Sequence, residues 1–317
     1  MIQTLDQGVF TISLDFELAW GTRGRPSANR VGPYLDGTRR AIDRMLELFE
    51  RYQISATWVM VGGLVLGGQE RHPLLTAARY DDIPIGTSET HPHWYAEDIL
   101  AKIRSVRPEQ EIGCHTLTHM YVNESEASRE QFDRELGEFV KLFERLGLPR
   151  PKSFIFPKHY MHHFDLLAKH GFTCYRGPES GWFERLPTPH LRGAFRLLNS
   201  KLRRTPVVGL PSRSPEGLVE IPSSQFYSPF QSVGKFLSIE DRVQQAIAGL
   251  NAAAAQKKVY HLWTHPFNMG DRTDELMDGL ERILKHFATI RSSEPILNKS
   301  MQTLTKTLVS NAESKSN

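Results

Sequence analysis

Seven short apolar runs, most of them followed by a stretch of helical periodicity, set the tightest limit on what this chain can fold into. The runs are VFTISLDF (9–16), ISATWVMVG (54–62), EIGCH (111–115), KSFIFP (152–157), TCYRG (173–177), LVEIPSS (218–224) and VYHLWTH (259–265). Between them lie helical patterns at 36–52, 126–147, 163–172, 238–258 and 273–290. Asp36 and Ser238 are placed to cap the first and fourth of these, and Gly147 with Pro149 ends the second. Strands that alternate with helices are joined in parallel by crossovers. Seven of them in 317 residues predict one α/β domain, a closed (β/α)7 or (β/α)8 barrel rather than an open doubly wound sheet. The first strand is not followed by the G-x-G-x-x-G step of a dinucleotide site, which GTRGRP (21–26) does not supply. The barrel is expected over residues 1–300, with a flexible tail over 301–317. The connections 62–110 and 178–217 read as long loops over one face.

Composition removes several classes of partner. Lys and Arg number 39 against 36 Asp and Glu, a formal net charge of +3. No basic block with interleaved aromatics appears, so nucleic acid is not expected, and KLRR at 201–204 reads as a solvated loop. No apolar run approaches the ~18 residues of a membrane span. The first residues, MIQTLDQGVF, lack the basic and apolar regions of a secretion leader. Cys114 and Cys174 both lie in apolar stretches and read as buried free thiols. Together these readings predict a cytoplasmic protein.

The polar residues gather where the strands end. Asp15 and Glu17 finish the first run, His115 and His119 (HTLTH) follow the third, Lys158 and His159 follow Pro157, and His265 ends VYHLWTH. In a parallel barrel the C-terminal strand ends converge on one face, where ligands bind. His115 and His119 stand i, i+4, so a helical turn there would put both imidazoles on one side of an ion. One carboxylate would complete a His₂–carboxylate set with a position open for water, and a divalent ion in it would make that water a nucleophile at neutral pH. Alternate residues of a strand point the same way, so Asp15 and Glu17 can both face the barrel mouth. One can ligate while the other accepts the water's proton. The H-x-H of HPHWY (91–95) reads, with Trp94 and Tyr95 beside it, as a lid that stacks on a sugar face. Trp20, Trp263 and Phe267 can shape the pocket, and His162 and His163 read as solvated.

With these residues in place, the sequence resembles the polysaccharide deacetylase family (NodB homology, carbohydrate esterase family 4). HTLTH matches its H-[ST]-x-x-H motif and LWTH (262–265) its L-x-x-H motif. The family's first motif, T-F-D-D-G, is altered: Phe16 stands where the metal Asp is usual, which shifts the ligand to Glu17 as in a D-x-E subgroup. The resemblance covers about residues 8–290 and implies a distorted (β/α) barrel. It implies Asp15 as base, His265 as general acid, and Glu17, His115 and His119 as ligands of one divalent ion, Zn²⁺ or alternatively Co²⁺, Ni²⁺ or Mn²⁺. The third motif keeps Pro157 but lacks its Arg, so Lys158 or Arg176 is expected to steady the base. The fourth motif's Asp and Trp have no counterpart. Candidate substrate contacts are Trp20, Trp94, Tyr95, Lys158, His159 and Arg176. The implied activity is N-deacetylation of an acylated amino sugar, nucleotide- or lipid-linked, in bacterial surface polysaccharide synthesis. The alternatives are an allantoinase-like or deformylase-like amidohydrolase, or an inactive glycan-binding barrel.

Overall fold

The computed structural model describes residues 5–23, 32–77, 80–179 and 188–316. Strand β1 (Gly8–Phe16) is buried at all nine positions. Its side chains alternate between two environments. Phe10, Ile12, Leu14 and Phe16 join the large cluster packed against the helices, whereas Val9 belongs to a second cluster. Thr11, Ser13 and Asp15 follow Val9 on the same face by the period of two, and all three are buried. One face of β1 is therefore apolar throughout, and the other turns polar towards the strand's C-terminal end.

The chain continues through α1 (Gly32–Tyr52), β2 (Thr57–Met60), α2 (Pro73–Ala77), α3 (Glu97–Ser105), β3 (Glu111–Cys114), α4 (Glu126–Arg145), β4 (Ser153–Phe154) and α5 (Phe164–Lys169). Then come β5 (Cys174–Glu179), α6 (Pro189–Lys201), β6 (Ser212–Arg213), β7 (Val219–Ser223), β8 (Gln225–Phe226), α7 (Ile239–Gln256) and β9 (Val259–Thr264). The last elements are α8 (Thr273–Ile290), β10 (Ile296–Asn298) and α9 (Met301–Ser316). The strand order is β6-β7-β5-β4-β3-β2-β1-β9-β8, with β10 beside β1. Every pairing is parallel except β6 with β7.

Strands β7 and β8 are separated only by Ser224. Residues 219–223 pair with β5 on one side, and 225–226 pair with β9 on the other. Between them the Ser224 N–H donates to the His261 carbonyl at 3.0 Å. One short segment thus changes partner and curls the sheet into the expected distorted (β/α) barrel, a single domain built on all seven apolar runs. The inward Val9, Val59, Ile155, Cys174, Val219, Ile221 and Val259 pack together inside it.

Three expectations are corrected. Residues 301–316 form helix α9 instead of a flexible tail, because Met301, Leu304 and Leu308 complete the inner cluster. Its first turn is tied to the barrel, with Met301 N–H donating to Thr57 Oγ1 and Gln302 N–H to Glu111 Oε2, both at 2.9 Å. Helix α1 begins before Asp36, which caps nothing and instead meets His93 Nε2 at 2.8 Å. The loop expected at 178–217 contains α6, opened by Thr188 as N-cap and Pro189 in its first turn, while 62–110 contains α2 and α3. Residues 180–187 of the first of these loops, and 24–26 of GTRGRP, lie outside the described residues. Both cysteines are free and buried. Among the described residues no helix is long and apolar enough to cross a membrane.

Candidate active site

The parallel strand ends deliver the titratable residues to one mouth of the barrel. Phe16 turns outwards, edge-on to Trp58 with ring centroids 6.1 Å apart, which leaves Asp15 and Glu17 on the inner side. Glu17 Oε2 lies 2.8 Å from His119 Nε2 and 3.2 Å from His115 Nε2. One ligand atom from each of the three lies within 4.8 Å of the others, and all three residues are buried. His115 Nδ1 meets the Ile155 carbonyl at 2.8 Å, so that nitrogen carries the ring proton and Nε2 offers its lone pair to the cluster. Two imidazole nitrogens and a carboxylate oxygen, converging with little room for solvent, are a donor set that suits a divalent ion.

The histidines converge by a different route from the helical turn expected. Thr116 and His119 both have left-handed backbone conformations, with φ of 63° and 59°, which side chains adopt only where surroundings hold them. The hold comes from Glu135 of α4. Its carboxylate accepts the Leu117 and Thr118 N–H groups at 3.0 Å each, and the Thr118 hydroxyl as well. Glu135 went unrecognised in the sequence, where an acid reads as solvated. The signal was available: Glu135 sits inside the apolar stripe Phe132, Leu136, Phe139 and Phe143, all of them buried.

Asp15 is gripped by a fork. Arg176 Nη1 and Nη2 donate to its two oxygens at 2.6 and 2.8 Å, and Nη1 also reaches Ser13 Oγ at 3.1 Å. Of the two candidates for the missing motif Arg, the structure thus brings Arg176 to Asp15. Lys158 is exposed, its ammonium 4.0 Å from the centre of the Tyr121 ring. Burial opposes ionisation of Asp15, but Arg176, His265 and His115 outweigh it and hold the carboxyl at about 2. Burial likewise opposes the charge on Glu17, and His119 and His265 bring it well below the usual carboxylate range. His261, a layer deeper, meets Ser13 Oγ at 2.8 Å; burial and Arg176 push it down to about 3, so it stays neutral.

His265 completes the group. Its Nε2 lies 3.5 Å from Asp15 Oδ2 and 3.6 Å from Glu17 Oε1. Its Nδ1 faces the Asn268 side-chain amide at 3.2 Å, and Phe226, Trp263 and Phe267 surround the ring. The remaining candidates scatter. His159 stands 5.5 Å from the Trp263 ring, and burial with Arg176 lowers it to about 4. Trp20 is fully buried and its indole donates to the Trp94 carbonyl at 2.9 Å. Tyr95 is buried with its hydroxyl on the Pro84 carbonyl at 2.6 Å, a core residue rather than part of a stacking lid. His163 is bonded to the Asn123 carbonyl rather than solvated. Two cavities flank the centre. One of about 490 Å³ is lined by Trp20, Arg23, Tyr80, His119 and Tyr121 among others. The other, about 620 Å³, reaches His265.

Residues 34–174 match the profile of the polysaccharide deacetylase family. Over that stretch, somewhat under half of its length, the chain is similar to the polysaccharide deacetylase family. The matched stretch carries His115 and His119, while Asp15, Glu17 and His265 come from strands beyond it. Among solved structures, a Mycobacterium smegmatis protein assigned as a polysaccharide deacetylase aligns over 98% of this chain and 94% of its own, with 16% identity and a TM-score of 0.64. A Pseudomonas aeruginosa PAO1 protein assigned likewise and the Puue allantoinase each align over 94% of this chain and 89% of theirs, with 14% identity and TM-scores of 0.57. At such identities these likenesses establish the deacetylase-family barrel as the shared fold. No curated protein sequence matches the chain significantly.

Proposed function

We propose that this chain is a metal-assisted hydrolase that removes an N-acyl group, acetyl foremost, from an amino sugar. The observation that carries the reading is His265 Nε2 standing between a buried Glu17–His115–His119 set, 3.6 Å from Glu17 Oε1, and an Arg-held Asp15, 3.5 Å from its Oδ2. Glu17 Oε2 and the Nε2 atoms of His115 and His119 would hold the ion, and zinc suits that donor set. Such an ion polarises an acyl carbonyl and brings water's pKa towards neutrality. Asp15 stays ionised at neutral pH and takes the proton from the attacking water. Arg176 occupies both of its oxygens from behind, which fixes the carboxylate plane and keeps Oδ2 on the His265 side. His265 in its imidazolium form would carry a proton on Nε2, the nitrogen that faces the site, with Nδ1 turned to the Asn268 side-chain amide. That proton passes to the departing amine, and the ring ends as the neutral imidazole. In this reading the protein works in the cytoplasm, on a nucleotide- or lipid-linked intermediate of surface polysaccharide synthesis, and its two unpaired buried thiols agree with a reducing compartment.

The test is acetate release from N-acetylated amino sugars by protein loaded with Zn²⁺ or Co²⁺, with formate release and ureide cleavage measured alongside. Asp15→Asn is expected to lower kcat by about 10²–10⁴-fold while metal content is kept. Acetate-free reactions, or an Asp15→Asn variant as fast as wild type, would overturn the reading; ureide cleavage instead would favour the allantoinase-like alternative.

A further inference from the structure

Bond cleavage needs the mouth of the barrel, yet the larger cavity extends well away from it. It meets the site at His265 and runs between β8, β9 and helix α6. Its inner end is an aromatic pair, Phe226 and Trp263, with ring centroids 4.4 Å apart and planes tilted by 32°. Beyond that pair, Leu197, Pro206, Val207 and Leu237 line it. Two lining residues also carry buried N–H donors with no partner, Trp263 Nε1 and Gln231 Nε2. Orphaned buried donors are rare because each forfeits the hydrogen bond it had in water.

We propose that this cavity receives the amine half of the substrate, and that this half is a sugar ring carrying a bulky apolar group away from the amide. The proposal rests on the hydrolase reading above, since His265 as proton donor places the departing nitrogen at the cavity's inner end. The ring's apolar face would lie on Phe226 and Trp263. The apolar group would take the space lined by Leu197, Val207 and Leu237. About 620 Å³ falls within the 300–1,000 Å³ range of pockets for drug-sized ligands, more than a bare monosaccharide fills.

The test compares N-acetylglucosamine with its hexyl glycoside on zinc-loaded protein. The hexyl group is expected to raise kcat/KM at least about tenfold, mainly through KM, because apolar area removed from water strengthens binding. Leu197→Trp, which fills the cavity, and Phe226→Ala, which removes its floor, should bring the ratio between the two substrates close to one. Leu198→Ala, at an exposed position of the same helix that does not line the cavity, should leave the ratio as in wild type. Equal kcat/KM for the two substrates in wild type would overturn the proposal and leave the hydrolase reading standing. Calorimetric titration with the amines, hexyl glucosaminide against glucosamine, reads the cavity without catalysis. Tighter binding of the hexyl amine supports the proposal even if no amide is cleaved, in which case the hydrolase reading alone fails; equal binding overturns it.

Discussion

At the scale of single residues, the site depends on carboxylates with separate tasks. Glu17 faces two imidazoles, Asp15 faces a guanidinium, and Glu135 faces the backbone and hydroxyl of the loop between the two histidines, with the Gln131 side chain beside it. Glu135 acts through that loop, so Glu135→Ala is expected to weaken metal binding by about 10–100-fold, as loss of outer support to a ligand does. Glu135→Gln should recover part of it, because its oxygen can still accept one N–H while its NH₂ faces donors. Titration with Co²⁺, followed by its visible absorption, separates this from a plain loss of stability: a variant that melts lower but keeps wild-type affinity and spectrum would show that Glu135 only supports the fold. Asp15, Glu17, His115, His119 and His265 were legible in the sequence because each ends or directly follows a recognisable strand. Arg176 was legible only as one of two candidates, since its partner lies 161 residues away and no local pattern connects them.

At the scale of elements, strands and most helices follow from periodicity, whereas α9 does not. Its inward residues Met301, Leu304 and Leu308 are sparse among Thr, Gln and Lys, and their value appears only once a barrel interior exists to receive them. The same is true of β8, two residues long and intelligible only as the continuation of β7 on a new partner. Glu111 ties α9 to the barrel, bonded to Thr57, Ser153 and the Gln302 N–H. Burial nevertheless raises its carboxyl above the ordinary value, these donors and the Ser300 side chain offsetting only part of the effect. The folded chain therefore holds that proton more tightly than the unfolded chain. The group's contribution to stability is complete below the unfolded pKa, about 4.3, and is lost as pH rises through the folded one. Glu111→Gln does not titrate, so the unfolding free energy of wild type minus that of the variant should fall as pH rises above about 4. Urea unfolding at several pH values measures it, and a difference that grew with pH would refute the assignment.

At the scale of the whole molecule, an ion held by the buried Glu17–His115–His119 cluster would couple its binding to folding. An ion that binds only the folded chain adds about 2.7 kcal/mol at 100 times its dissociation constant. Zinc is thus expected to raise the melting temperature, a chelator to reverse the rise, and His119→Ala to respond to neither. A wild-type melting curve indifferent to metal would exclude a folded-state ion site at this cluster. The curled sheet also has a consequence in time. Strand β1 is paired on one side with β2 but on the other with β9, where Val9 meets Val259, 250 positions later in the chain. At the 5–20 residues per second of synthesis, about 12–50 s pass before that partner emerges. Throughout that interval the nascent chain carries one unpaired edge of β1, with Asp15 and Glu17 at its end. The ribosome therefore delivers this protein as an incomplete sheet that must be kept from other edges until its last strands arrive.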